Sequence, residues 1–141
     1  YAARAGTTTA LNSGQNLTST SGSCPNLNEL GRYWNNGGSS GEHAVVGSYT
    51  PNSWGLYDMH GNVWEWCLDW YTGSLGTSAV TDPVGPASGS NRVERGGSWN
   101  NVAQDCRTAV RDWSSPGSAY GSLGFRPVSP GQPASPPEGD G

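Results

Sequence analysis

The clearest periodic pattern in the chain runs over residues 62–71, Asn-Val-Trp-Glu-Trp-Cys-Leu-Asp-Trp-Tyr. Large apolar side chains alternate there with smaller or polar ones. The members of the apolar face are Trp64, Trp66, Leu68 and Trp70. A period of two is typical of a β-strand that buries one of its faces. We therefore predict a strand over residues 62–71 whose tryptophan face lies in the core.

Three further segments have enough apolar character to form short regular elements. Residues 92–95 predict a second strand, which the glycine pair at residues 96–97 would end. Residues 123–128 predict a final strand. Residues 102–111 fit either a short helical turn or an irregular strand. The pattern as a whole favours a few short strands joined by long loops.

The remaining segments are polar or lie at the ends of the chain. Residues 7–31 consist largely of Thr, Ser, Asn and Gly, and they predict a long surface loop. Residues 1–5 have the pattern of a last helical turn that Gly6 would terminate. A helix needs more residues than these five, so we expect the chain to begin inside a longer protein. Residues 129–141, rich in Pro, Gly and Ser, predict a disordered tail.

Composition refines this picture and excludes two classes of protein. Only 33% of the residues are hydrophobic, and 22 Gly and 10 Pro indicate a domain made mostly of loops. Seven Trp and six Tyr provide the bulky side chains of its core. The net charge is −4 and every basic residue is arginine, which differs from the clustered basic surface of nucleic-acid-binding proteins. No apolar stretch approaches the ~20 residues of a membrane span.

The residues with chemical potential lie in two stretches. The first, residues 55–66, reads Gly-Leu-Tyr-Asp-Met-His-Gly-Asn-Val-Trp-Glu-Trp. The second, residues 92–99, reads Arg-Val-Glu-Arg-Gly-Gly-Ser-Trp. The chain also has three cysteines, Cys24, Cys67 and Cys106, whose spacing fits no zinc site. They allow either one disulfide with a free thiol or three reduced thiols.

The ordered set of motifs resembles the sulfatase-modifying-factor family, whose type member is the formylglycine-generating enzyme. The resemblance extends from Tyr-Ala-Ala-Arg-Ala-Gly at residues 1–6, through both stretches, to Gly-Phe-Arg at residues 124–126. It implies an α+β fold, the loop-rich, C-type-lectin-like variant of the sulfatase-modifying-factor fold. Residues 1–128 would be the C-terminal part of such a domain, with the N-terminal half missing from this chain.

The resemblance implies a calcium site in the first stretch. The family's ligands correspond to the side chains of Asp58 and Glu65 and to the backbone carbonyls of Gly61 and Val63. Calcium prefers several hard oxygen ligands and accepts backbone carbonyls. Two carboxylates seven residues apart, with a glycine-containing turn between them, can close on one ion. The residues alone favour a simpler arrangement, in which Asp58 caps a turn and Glu65 pairs with an arginine in the core.

The resemblance also implies a copper site after the second stretch. The family enzyme oxidises a cysteine of its substrate protein and binds copper(I) with two cysteines, since soft thiolates suit that ion. These positions correspond to Asn101 and Cys106, so one ligand is absent and Cys106 is the remaining copper-binding and catalytic candidate. The other candidates for the catalytic pocket are Ser98, Trp99 and Arg111. Because the two stretches must pack together, we also predict a Cys67–Cys106 disulfide.

Two functions are therefore open. The first is copper-dependent oxidation of a cysteine in a protein or peptide substrate. The second is ligand binding without catalysis by a calcium-stabilised domain of the same fold, akin to the variable proteins of diversity-generating retroelements. Residues 100–122 would then form the binding loops, because they are rich in the Tyr, Ser, Gly, Asn and Trp of adaptable binding surfaces. A plain surface loop has the same composition. The asparagine at position 101 favours the binding function.

Overall fold

The computed structural model describes residues 1–37, 41–81 and 83–128. Its helical elements are α1, Pro25–Asn28, and two 3-10 turns, Trp34–Asn36 and Ala103–Cys106. Its strands are β1 (Trp64–Trp70), β2 (Arg92–Arg95), β3 (Asp112–Ser114) and β4 (Leu123–Gly124). The protein is thus a small domain of strands and loops with little helix. No helix in this described part has the length and apolar character needed to cross a membrane. The tail predicted over residues 129–141 lies outside the described residues.

The four strands form one sheet in the order β3-β2-β1-β4. Strand β1 pairs antiparallel with β2, placing Glu65 opposite Arg95 and Trp66 opposite Glu94. It pairs parallel with β4 on its other edge, and β2 pairs antiparallel with β3. The central pair of strands therefore joins the two stretches that carry the candidate site residues.

Most of the predicted elements are present, with shorter bounds. Strand β1 lies inside the predicted segment, and β2 has the predicted bounds. Residues 102–111 contain the 3-10 turn, so the helical alternative is confirmed there. The final strand is only two residues long instead of six. Pro127 lacks the N–H group needed to continue a strand ladder, and the chain leaves the sheet before it.

The tryptophan face of β1 is not the core, so that prediction is wrong. Trp64 is buried, but Leu68 on the same face is 92% exposed. The Trp70 ring is covered by an arginine: the guanidinium carbon of Arg92 lies 3.5 Å from the ring centroid. Burial along β1 therefore does not alternate, and Trp64 is its one buried residue.

The core lies instead between the N-terminal segment and the turn after the second stretch. Its members are Leu11, Cys24, Leu27, Leu30, Tyr33, Ala103 and Cys106. Residues 7–31, predicted to be a surface loop, supply four of these seven, so that prediction is also wrong. The segment is irregular, but its few apolar residues point inward, and Pro25 begins α1 where a missing N–H has no cost.

All three cysteines are free. Cys24 and Cys106 are buried in the core, whereas Cys67 is half-buried on β1. Cys106 packs under Gly97, whose close approach leaves no room for a side chain: a Cβ there would lie 2.7 Å from the Cys106 Sγ. The predicted Cys67–Cys106 disulfide is therefore wrong: both thiols are free, and Cys106 belongs to the core cluster whereas Cys67 does not.

Candidate functional site

The first stretch bends sharply through residues in the left-handed backbone region. Asp58 and Asn62 have φ values of +55° and +65°, and Gly61 has +70°. Asp and Asn tolerate this region better than other residues with a side chain. The N–H of Gly61 donates to the Gly96 carbonyl at 2.7 Å, which fixes the bend against the second stretch. The bend returns the chain so that Asp58 and Glu65 line the same cavities.

Asn62 connects three distant segments to this bend. Its side-chain oxygen accepts a hydrogen bond from the Ala44 N–H at 2.8 Å. Its own N–H donates to the Arg32 carbonyl at 2.7 Å, and its carbonyl accepts from the Trp99 N–H at 2.8 Å. Only 4% of Asn62 is exposed. The bend is therefore held by buried hydrogen bonds and is a rigid support for the two carboxylates.

Glu65 forms a bidentate ion pair with Arg126. The distances are 2.8 Å from Nε to Oε2 and 2.6 Å from Nη2 to Oε1. The same Nη2 donates to the Tyr57 carbonyl at 3.0 Å. Paired N–H···O bonds of this kind are among the stronger polar contacts in proteins. The arrangement inferred from the residues alone, with Glu65 paired to an arginine, is present, although both side chains are partly exposed.

Asp58 satisfies only one of its carboxylate oxygens. Oδ2 accepts a hydrogen bond from the Gly47 N–H at 2.7 Å, so the side chain does cap a turn. Oδ1 is buried and has no hydrogen-bond partner among the described residues. Leaving a buried polar atom unpaired costs roughly 1–3 kcal/mol. The atom is therefore a candidate ligand for a cation.

The side chains of Asp58 and Glu65 offer carboxylate oxygens, the type of ligand that calcium prefers. The two carboxylates line a cavity of about 190 Å³ together with Val63 and Arg126, and also a smaller one of about 50 Å³. A carboxylate has about four lone-pair sites, and Arg126 uses two of those on Glu65. No group of three His, Cys, Asp or Glu side chains suited to a metal occurs among the described residues. A calcium ion would therefore need the carbonyls of Gly61 and Val63, or water, as further ligands.

The residues after the second stretch do not fit copper(I). Cys106 is fully buried, and this burial raises the pKa of its thiol to about 12, with the nearby Asp105 carboxylate adding to the effect. The thiol is therefore protonated at neutral pH, whereas a metal binds the thiolate. The Asn101 side-chain oxygen accepts from the Ser98 hydroxyl, and its amide donates to Asp105 at 3.4 Å. One neutral amide and one buried thiol are a poor pair of ligands for a soft ion.

Of the other predicted catalytic residues, Ser98 lies next to Cys106, since its backbone forms a hydrogen bond with the Cys106 thiol. Ser98 is buried and donates to the Asn100 side chain at 2.6 Å. Trp99 is half-buried, and its indole N–H donates to a backbone carbonyl 3.3 Å away. Arg111 donates to the Thr72 carbonyl at 3.1 Å and lines a different cavity, which none of the other three residues lines. A shared catalytic role for Cys106, Ser98, Trp99 and Arg111 stays a prediction.

A polar and aromatic surface lies at the β3 edge of the sheet. We call it the β3 surface and define it by Asp112, Trp113, Ser114 and Tyr120. Because side chains alternate along a strand, Trp113 lies on the other side of this edge strand from Asp112 and Ser114. Trp113 is 48% exposed and Tyr120 is 44% exposed. The Tyr120 hydroxyl lies 2.8 Å from Ser114 Oγ and donates to Glu94 Oε2 at 3.1 Å. Glu94 is only 3% exposed, and burial raises the pKa of its carboxyl group. A buried anchor thus holds an exposed aromatic ring in place.

Comparison with known proteins decides the family. Residues 1–130 match the sulfatase-modifying factor enzyme 1-like domain. The chain belongs to this family. It is 45% identical over 87 residues to the formylglycine-generating enzyme of Streptomyces coelicolor, which covers 59% of this chain and 28% of that protein. It is 46% identical over 85 residues to the serine/threonine-protein kinase pkn1 of Chlamydia pneumoniae, covering 58% of this chain and 14% of that protein.

A solved structure supports the same assignment. Treponema denticola variable protein 1 superposes with a TM-score of 0.75 and 41% sequence identity, over 89% of this chain and 42% of that one. This sulfatase-modifying factor domain thus spans less than half the length of each of these three relatives. The relatives differ in the activity that their names give. Family membership therefore determines the fold but not the function.

Two residues that support the candidate sites of this sulfatase-modifying factor domain do not emerge from the sequence. Arg126 was noted only as part of Gly-Phe-Arg, although it pairs with Glu65 across 61 positions of the chain. Glu94 enters the sequence analysis only as part of the strand over residues 92–95, although it accepts a hydrogen bond from the Tyr120 hydroxyl. The available signal for Glu94 is its place directly after Val93: the two side chains point to opposite faces of the sheet, and both are buried.

Proposed function

We propose that this domain is a non-catalytic, calcium-stabilised module that binds a protein or peptide ligand through the β3 surface. The burial of Cys106 carries the proposal, because a fully buried thiol with a pKa near 12 can neither reach a substrate cysteine nor bind copper(I) readily. We also infer that the fold is the C-type-lectin-like variant, which presents loops from a rigid base.

The β3 surface has the properties of a binding site. Trp113 and Tyr120 are exposed, large and restricted, and such residues supply contact area at a low cost in conformational entropy. The Tyr71 and Trp113 ring centroids are 6.1 Å apart, so Trp113 has an aromatic neighbour that limits its movement. Preorganised side chains of this kind raise affinity. The likeness to Treponema denticola variable protein 1 supports this proposal over oxidation.

The proposal predicts binding without chemistry, and the purified chain can be tested for both. Peptides selected from a random display library should bind the wild-type chain and lose at least about tenfold in affinity on Trp113→Ala, as is usual for a central aromatic residue at an interface. Trp54→Ala is the matched control, because Trp54 is also 48% exposed but lies outside the β3 surface. Affinities are measured by calorimetry. Equal losses on the two variants would show that the β3 surface is not the binding site.

The same chain is then tested for oxidase activity. Loaded with copper(I) and given a cysteine-containing sulfatase-type peptide, it should form no formylglycine by mass spectrometry. The formylglycine-generating enzyme of Streptomyces coelicolor serves as the positive control. Conversion that disappears on Cys106→Ser would overturn the non-catalytic proposal.

The calcium component predicts a gain in stability. Calcium at a hundred times its Kd should add about 2.7 kcal/mol to the free energy of unfolding, by mass action. Asp58→Asn should abolish this gain, because it removes the charge beside the unpaired Oδ1. The control is Asp69→Asn, an exposed aspartate on β1 that should leave the gain unchanged. Thermal unfolding with calcium, magnesium or chelator makes the measurement. Identical melting with calcium and with chelator would contradict the site.

A further inference from the structure

Another cavity lies beside β1 and β2. It shares Arg95 with the smaller cavity next to Asp58 and Glu65, and the Tyr71 ring lies near both its Arg111 and Trp113 of the β3 surface. Its volume is about 190 Å³, and its lining residues are Cys67, Asp69, Leu75, Pro83, Gly85, Val93, Arg95 and Arg111. Two guanidinium groups thus meet three apolar side chains, those of Leu75, Pro83 and Val93, in one concave site. This combination of charged and apolar lining is typical of small-molecule sites.

Arg111 is held in place but is mostly unused as a donor. Its Nη1 donates to the Thr72 carbonyl at 3.1 Å, and its guanidinium carbon lies 5.2 Å from the centroid of the Tyr71 ring. A guanidinium has five N–H donors. Arg111 forms no salt bridge with a carboxylate of the described residues. Its remaining donors are therefore available to a ligand.

Arg95 places a second positive charge beside the same cavity. It donates to the carbonyls of Thr108, Ala109 and Val110, which fixes its position under the segment that leads to β3. Burial lowers the pKa of Arg95, and the positive charge of Arg111 lowers it further. Asp69 lines the cavity too, but it is exposed and forms no salt bridge with either arginine. Among the described residues neither arginine has a paired anion, and two partly buried positive charges without one are unfavourable.

We propose that this cavity binds a small organic carboxylate. The carboxylate would accept paired hydrogen bonds from Arg111, the geometry for which arginine is best suited. The apolar part of the molecule would pack against Leu75, Pro83 and Val93. At ~30 Å³ for each water molecule in the liquid, the cavity corresponds to about six waters, which limits the ligand to a small molecule. This inference does not depend on the proposed ligand-binding function.

Cys67 gives a direct readout of occupancy. It lines the cavity and is half-buried, whereas Cys24 and Cys106 are fully buried, so a maleimide should modify Cys67 first in the folded chain. Sodium butyrate is the probe, and the labelling rate at fixed pH is followed by mass spectrometry. We expect butyrate to slow the labelling saturably. Butyramide, its neutral isostere, and sodium chloride at equal ionic strength should not do so.

Variants link the effect to Arg111. Arg111→Gln should weaken butyrate protection about tenfold or more, as expected for the loss of a charge-assisted hydrogen bond. Arg107→Gln is the matched control, because Arg107 is an exposed arginine outside the cavity. If Arg111→Gln does not fold, Arg111→Lys keeps the charge and should weaken protection by losing the paired geometry. Equal slowing by butyrate and chloride, or full protection in the Arg111 variants, would overturn the proposal.

Discussion

Replacement of Gly61 by alanine is expected to unfold the domain. Gly61 has a φ of +70°, and a Cβ there would overlap the carbonyl oxygen of Arg32 and lie 2.8 Å from its carbonyl carbon. Both are backbone atoms, at the point where the first stretch crosses over Arg32, so no side-chain rotation can relieve the overlap. We expect a loss above about 4 kcal/mol, which is exceptional for one substitution. That loss approaches the total stability of a small domain, about 5–15 kcal/mol. Urea unfolding followed by circular dichroism measures it.

Gly55→Ala is the matched control for this prediction. Gly55 has nearly the same backbone conformation, with a φ of +76°, but a Cβ there would meet nothing within 4 Å. Gly55→Ala should therefore lower the free energy of unfolding only by the cost of placing a side chain in the left-handed region, roughly 1–2 kcal/mol. The difference between the two variants measures the crossing of the first stretch over Arg32. Similar losses for both would show that this crossing is not close-packed in solution.

The central strands could be predicted from the sequence because their signals are local. Alternation over Trp64–Trp70 and the glycine pair after Arg95 each fix a short element by themselves. The core could not be predicted in this way. Leu11 lies in an irregular stretch and Leu27 in the four-residue α1, which is too short to show a period. Their burial depends on contact with residues 103–106, more than 70 positions away. Such a segment has the composition of a surface loop although it forms the interior.

The candidate site was predictable to the same limited extent. The seven-residue spacing of Asp58 and Glu65 with a glycine between them indicated that they meet, and the two line common cavities. The ion pair between Glu65 and Arg126 could not be anticipated, because it depends on the parallel pairing of β1 and β4. The burial of the Cys106 thiol could not be predicted either. Its thiol is inaccessible because residues from the N-terminal segment pack over it, which no local pattern records.

His60→Ala is the second substitution with a large expected effect. His60 is fully buried, its Nδ1 lies 2.7 Å from the Cys106 carbonyl oxygen, and its Nε2 lies 3.1 Å from the Asn12 nitrogen. The Asn12 N–H must donate to Nε2, so Nδ1 carries the proton and donates to Cys106. Alanine would leave both backbone groups unpaired, at roughly 1–3 kcal/mol each, and would also create a cavity. Urea unfolding should show a decrease of about 3–5 kcal/mol in the free energy of unfolding.

His60→Gln separates hydrogen bonding from packing in this prediction. The glutamine amide has one donor and one acceptor group and can pair with both backbone partners. We expect it to retain more stability than His60→Ala by at least about 1 kcal/mol, the net value of a buried hydrogen bond. Equal losses for the two variants would indicate that His60 contributes by its volume alone.

The same histidine should make the domain sensitive to mild acid. Burial lowers the pKa of His60 below its ordinary value of 6.5, and the hydrogen bond to the Cys106 carbonyl opposes this only in part. Below pH 6.5 the unfolded chain therefore binds a proton that the folded chain does not, so the stability falls as the pH decreases toward the lowered pKa.

The His60→Gln variant is the control for this effect, because glutamine cannot titrate and every other ionisable group is common to both proteins. Between pH 7.5 and pH 5.5 the free energy of unfolding should thus decrease more in the wild type than in His60→Gln. The extra decrease should be about 1.4 kcal/mol for each pH unit below 6.5, as long as the pH stays above the pKa of His60 in the folded state. Parallel pH profiles would mean that His60 is accessible to protons in the folded state, and that the link between the first stretch and the Cys106 segment is looser than its hydrogen bonds indicate.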